Sequence, residues 1–104
     1  MTKTSHSDPV TARSILSSAA DMVTGDRQDD YGDARTSFTR IAALWSPILG
    51  VQVTPLQVAL CMAGLKISRA VSSPEKMDTF IDLAGYAALA GEIVEAKNEP
   101  ESAK

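Results

Sequence analysis

Two carboxylates four residues apart, Asp78 and Asp82, and two cations three residues apart, Lys66 and Arg69, have the spacing best suited to chemistry. Residues at i and i+3 or i+4 share a helix face, so each pair presents its charges together. Stacked carboxylates repel unless a cation sits between them. Mg²⁺ prefers carboxylate oxygen and keeps several waters, so it would serve, and Lys or Arg would serve equally. The connection near residues 72–74 is short, so the two stretches form an antiparallel hairpin in which facing residues have numbers of constant sum. Arg69 with Asp78 and Lys66 with Asp82 give sums that agree to within one residue, and the four charges should meet across one interface. They are either structural ion pairs or a mixed-charge site in which Asp residues hold a metal and Lys66 and Arg69 hold phosphates. The readings overlap, because such a site without its ligand rests as ion pairs.

A second concentration of charge is the polar stretch Gly25–Asp33, with Asp26, Arg27, Asp29, Asp30, Tyr31 and Asp33. Such a loop is commonly a solvated linker. Tyr31-Gly32, however, offers an aromatic for stacking and a residue that permits a tight turn. Asp33 is a natural helix cap, which leaves three further Asp without that use. Tyr86 continues the Asp78–Asp82 face by one turn, as a core aromatic or as part of the same pocket. Glu92 and Glu95 read as a solvated face, Trp45 as core, Cys61 as a small buried apolar residue. A single cysteine and a single histidine, His6 in a polar tail, exclude a Cys/His zinc site and disfavour Ser-His-Asp or Cys-His catalysis.

The elements that must position these residues are helical throughout. Asp8-Pro9 offers a cap and a first-turn proline, and Ile15, Leu16, Ala19, Ala20 and Val23 follow at helical spacing up to Gly25, which predicts a helix over 9–24. Phe38, Ile41, Ala42, Trp45 and Ile48/Leu49 predict a second, with Pro47 expected to end or kink it near Trp45–Ser46. Thr54-Pro55-Leu56-Gln57 is a capping-box start for a third, reaching about Val71 with Val58, Cys61, Met62 and Leu65 as its apolar stripe. Ser73-Pro74 is expected to open the fourth, which ends near Lys97. The prediction is an all-α, four-helix domain over 8–97 with flexible tails at 1–7 and 98–104.

Chain length and composition narrow the function classes. With 104 residues the chain is one domain and cannot form a cleft between lobes. A net charge of −3 gives no general pull towards nucleic acid or anionic membrane. There is neither an apolar run of membrane-spanning length nor a signal-like N-terminus, so the expected location is cytoplasmic.

The runs TGDRQDDYGDARTSFTRIAALW, VTPLQVALCMAGLKISRAV and MDTFIDLAGYAAL resemble a family of small phage- and prophage-encoded proteins with the pattern G-D-R…Y-G-D…W, K-I-S/A-R and D…D…G-Y. The resemblance spans about residues 13–95. More distantly, the K…R and D…D…Y arrangement is similar to nucleotide-modification-associated phage domains and to the all-alpha NTP pyrophosphatase (MazG-like) superfamily. Those enzymes bind Mg²⁺ with acidic residues of two helices and cleave the α–β bond of nucleoside triphosphates. The resemblance implies a nucleotide-binding protein with Asp78, Asp82 and Asp33 as catalytic carboxylates and Asp78, Asp82 and Asp29 as Mg²⁺ ligands. Lys66, Arg69, Arg27, Tyr31 and Tyr86 would then contact the nucleotide. The chain departs from that superfamily in helix 1, where Asp21 stands alone in place of a glutamate pair. The alternatives are a non-catalytic phage accessory protein that sequesters a nucleotide or nucleotide signal or binds a host protein, and a helical assembly module with structural ion pairs only.

The fourth helix is small or apolar nearly all round from Leu83 to Gly91. Three other helices would struggle to cover it, so a homodimer or higher oligomer through this helix is expected, burying above roughly 1,200 Å² in total.

Overall fold

The computed structural model of the chain describes residues 9–24 and 34–97. They form four helices, α1 (Ala12–Thr24), α2 (Ala34–Leu49), α3 (Pro55–Ser72) and α4 (Met77–Lys97), with no strand among the described residues. The fold is all-α, as the periodicity predicts. Among the described residues no helix is long and apolar enough to cross a membrane.

Most helix boundaries follow from local chemistry. α3 opens with the full capping box: the Gln57 amide donates to Thr54 Oγ1 at 3.2 Å, and the Thr54 amide donates to Gln57 Oε1 at 3.0 Å. α1 opens at Ala12, three residues later than predicted. The reason is a reciprocal pair in which the Ser14 amide donates to Thr11 Oγ1 and the Thr11 amide donates to Ser14 Oγ; Asp8 lies outside the described residues. Pro47 does not end α2. Its missing N–H deprives only the Ala43 carbonyl, and Ala43 is exposed, where water can satisfy it. The helix runs on to Leu49 and stops at Gly50, which sits at a φ of 75° and donates its amide to the Ser46 carbonyl. Ser73-Pro74 does not open α4 either. The Ser73 amide is spent on the Arg69 carbonyl at 2.8 Å, closing α3, and residues 73–76 form a turn before α4 begins at Met77.

The core lies between α2, α3 and α4. It consists of Phe38 and Ala42 of α2, Val53 of the connection, Val58 and Ala59 of α3 and Ala90 of α4, with Trp45, Met62 and Tyr86 half-buried against it. Ser46 brings Val53 in: its hydroxyl donates to the Ala42 carbonyl at 2.8 Å and accepts from the Val53 amide at 2.9 Å. α1 also packs against α4. There a Cβ on Gly85 would lie 3.1 Å from Met22 Cε and 3.3 Å from Val23 Cγ1, so the missing side chain sets the approach of the two helices.

In the Leu83–Gly91 stretch of α4, Gly85 and Ala90 are buried, Leu83, Ala84, Tyr86 and Leu89 are half-buried, and Ala87, Ala88 and Gly91 are exposed, so the other three helices cover part of it. Cys61, expected in the core, is exposed, and Leu65 with it. α3 has no charged residue before Lys66, so its apolar pattern runs around the whole helix and does not select the inward face.

Candidate functional site

α3 and α4 share the most extensive contact of any helix pair, and this hairpin positions the predicted charges. Lys66 Nζ lies 3.2 Å from Asp82 Oδ2, with the two side chains 18% and 30% exposed. The antiparallel register thus delivers one of the two predicted pairs. Arg69 and Asp78 do not pair and both remain exposed. They stand one turn nearer the connection, Arg69 in the last turn of α3 and Asp78 in the first turn of α4. Each offsets the macrodipole at its own helix end, and an exposed ion pair gains only about 0–1 kcal/mol against the entropy of holding two side chains. The result is a graded strip, with a half-buried ion pair at its inner end and an unpaired cation and anion at its outer end.

Tyr86 continues α4 inward from this strip. Its ring centroid is 6.2 Å from that of Phe38, with the planes tilted by 37°, and it packs against the core. Its chief contact is therefore the core.

Arg27, Asp29, Asp30, Tyr31 and Asp33 lie outside the described residues. What is described is where the chain enters and leaves their segment. It leaves α1 just after Val23, against Gly85 and one turn along α4 from Asp82. It enters α2 at Ala34, one turn before Phe38, whose ring meets Tyr86 one turn past Asp82. Among the described residues no three His, Cys, Asp or Glu side chains come together as a metal site. Asp78 and Asp82 are the two carboxylates of the strip, and Asp82 is engaged by Lys66.

A second feature was not foreseen in the sequence. Trp45, Leu49, Val51, Val53, Leu60 and Cys61 line an open, mainly apolar groove of about 380 Å³ where the end of α2 meets the start of α3. The signal for it was the local break in the α2 pattern at Pro47–Gly50, which carries Leu49 and Val51 beyond the core.

The family model described as "Domain of unknown function (DUF6378)" matches residues 14–94. The chain is 45% identical to the Gene 55 protein of Mycobacterium phage L5 over 75 residues, covering 71% of this chain and 48% of that protein. It is 36% identical to the Gene 55 protein of Mycobacterium phage D29 over 90 residues, covering 86% and 60%. The chain thus spans about half to three-fifths of the length of these relatives. No solved structure matches it.

Proposed function

The chain belongs to the DUF6378 family, and on that premise we propose that it is a phage-type protein that binds a nucleoside triphosphate at the α3–α4 hairpin. The observation that carries this reading is the mixed-charge strip, in which Lys66 meets Asp82 at 3.2 Å while Arg69 and Asp78 stay exposed beside them. The described residues that bound segment 25–33 are Thr24, next to Val23, which meets Gly85 of α4, and Ala34, one turn before Phe38, whose ring meets Tyr86. Nine residues reach at most about 30 Å when extended, and the reading requires that span to bring Asp29, Asp33 and Tyr31 to the strip.

The residues divide the work by charge. Arg69 presents a planar fork of donors suited to phosphate oxygens. Lys66 is a compact cation held by Asp82 until a phosphate competes for it. Asp78 and Asp82, with Asp29, would hold Mg²⁺, which supplies charge neutralisation on the phosphates when bound. In this reading Tyr31 stacks on the base. The similarity to the MazG-like superfamily extends the proposal to hydrolysis between the α and β phosphates, with Asp33 as a further catalytic carboxylate.

One observation favours binding without turnover. α1 carries a single carboxylate, Asp21, which is exposed, where the superfamily has a glutamate pair. The alternative is therefore an accessory protein that sequesters a nucleotide or binds a host protein.

Calorimetric titration with each dNTP and Mg²⁺ tests the proposal. Saturable binding that weakens at least tenfold in Lys66→Ala, with helicity unchanged, is the expected result. The absence of binding to every triphosphate would overturn it. Pyrophosphate release, measured in parallel, separates the hydrolase from the sequestering protein.

A further inference from the structure

From Ile41 to Leu65 the chain carries no charged residue. Part of this stretch is core, yet much of it faces outward. Leu49 and Val51 at the groove are 61% and 62% exposed, and Leu60 on α3 is 53% exposed. Beyond Leu60 the same face of α3 continues with Gly64, Ile67 and Val71, of which Ile67 is 54% and Val71 79% exposed. The spacing of Leu60, Gly64, Ile67 and Val71 is four, three, four, that of a seam between two packed helices. At about 100° per residue, Lys66 and Arg69 fall on the opposite side of the helix. α3 therefore has a charged side turned towards α4 and an apolar side that nothing in the described residues covers.

We propose that the groove and the Leu60–Val71 stripe together form the contact surface for a second copy of this chain. Two features select a copy of itself as the occupant. The first is charge. Each copy carries a net −3, and a two-fold interface places the same patch of both copies together, so like charges would oppose one another across a charged face. This patch has none to oppose. The second is area. Leu49, Val51, Leu60, Ile67 and Val71 at roughly 100 Å² apiece put about 1,000 Å² of apolar surface between two copies. That is the apolar share of a standard interface of about 1,600 Å². Gly64, at the middle of the stripe, leaves room for the partner helix to approach, since a Cβ built there meets nothing within 4 Å.

The seam is thus on α3, where the sequence had suggested α4. The inference is independent of nucleotide binding, because the charged strip stays open in such a dimer.

Light scattering coupled to size exclusion tests it at tens of micromolar protein. The expected mass for the unaltered chain is twice that of one copy. Ile67→Glu, which places like charges opposite each other across the two-fold, should return the mass of a single copy with the same circular dichroism. Ala88→Glu, on the exposed part of α4, should leave the dimer intact. An unaltered chain that runs as one copy overturns the proposal and leaves the patch to another occupant. A dimer that survives Ile67→Glu, or is lost in Ala88→Glu, overturns it as well. If Ile67→Glu loses its helicity, Val71→Glu, at the more exposed end of the stripe, takes its place and is read in the same way.

Discussion

The two sides of α3 solve opposite problems with the same helix. Towards α4 it presents Lys66, whose charge is met at 3.2 Å by Asp82, and Arg69, which stays in water at the helix end. Away from α4 it presents Leu60, Ile67 and Val71, each at least half exposed. Val58 and Ala59, nearer the start of the helix, lie on the same side as the two cations and are fully buried. Charge is accommodated within the chain, whereas apolar surface is left over. This follows from size. A domain of this length buries too little of its surface to hide every large apolar side chain, and here Val58 is the one large side chain fully buried among the described residues. The same glutamate placed on each side should therefore have unlike consequences, and these unlike consequences are the means of testing the contrast.

The largest effect is expected on the inward side. Val58→Glu puts an unpaired carboxylate where the native side chain has no exposure, at a penalty of several kcal/mol. Against a total stability of about 5–15 kcal/mol, lower for a small domain, that should abolish cooperative unfolding. Ile67→Glu, nine residues on and outward, should leave the unfolding of the single copy within about 0.5 kcal/mol of the unaltered chain. Urea melts followed by circular dichroism, at concentrations low enough to dissociate any dimer, make the comparison. Equal losses from the two substitutions would erase the distinction between the sides.

How far the sequence disclosed this arrangement depends on how local each cause is. The capping box at Thr54 and Gln57 is contained in four residues, and it forms as predicted. The Lys66–Asp82 contact follows from the register of one hairpin, and it forms too. Arg69 and Asp78 obey the same register but lie at the helix ends, where water and the dipoles compete with pairing. Ser73 had two uses open to it, as the end of α3 or the start of α4, and the backbone bond to Arg69 decided for the first. Pro47 was read from its intrinsic effect, but the one carbonyl it orphans faces solvent. The inward face of α3 was beyond local reasoning, because a helix apolar all round gains its orientation from its neighbours. Of the site, the α3–α4 half was legible; Arg27, Asp29, Tyr31 and Asp33 lie outside the described residues.

A smaller effect separates the ion pair from its surroundings. Lys66→Met leaves Asp82 at 30% exposure without its partner and should destabilise the chain by about 1 kcal/mol. Asp82→Leu alone should do about the same. The double variant Lys66→Met/Asp82→Leu should recover part of both losses, with a coupling of about 0.5–1 kcal/mol, since an apolar pair can replace a part-buried ionic one. Chemical denaturation of the four proteins gives the cycle. Simple additivity would mean that the contact contributes nothing to folding. The strip would then be held only for its ligand.

The smallest expected change is the one with opposite signs on the two sides of the comparison. Gly64 lies mid-helix, where glycine is less favourable than alanine by about 0.8–1.0 kcal/mol. Nothing within 4 Å opposes a Cβ there, so the fold gives no reason for its presence. Gly64→Ala should therefore stabilise the single copy by about 0.5–1 kcal/mol. If the stripe packs closely against its counterpart in a second copy, the same methyl group intrudes at the centre of the seam and should weaken association severalfold. Sedimentation equilibrium measures the association, and dilute-solution melts measure the fold. A more stable chain that dimerises less would show that the glycine is kept for the interface. A more stable chain with undiminished association would place the closest approach elsewhere along the stripe, away from Gly64.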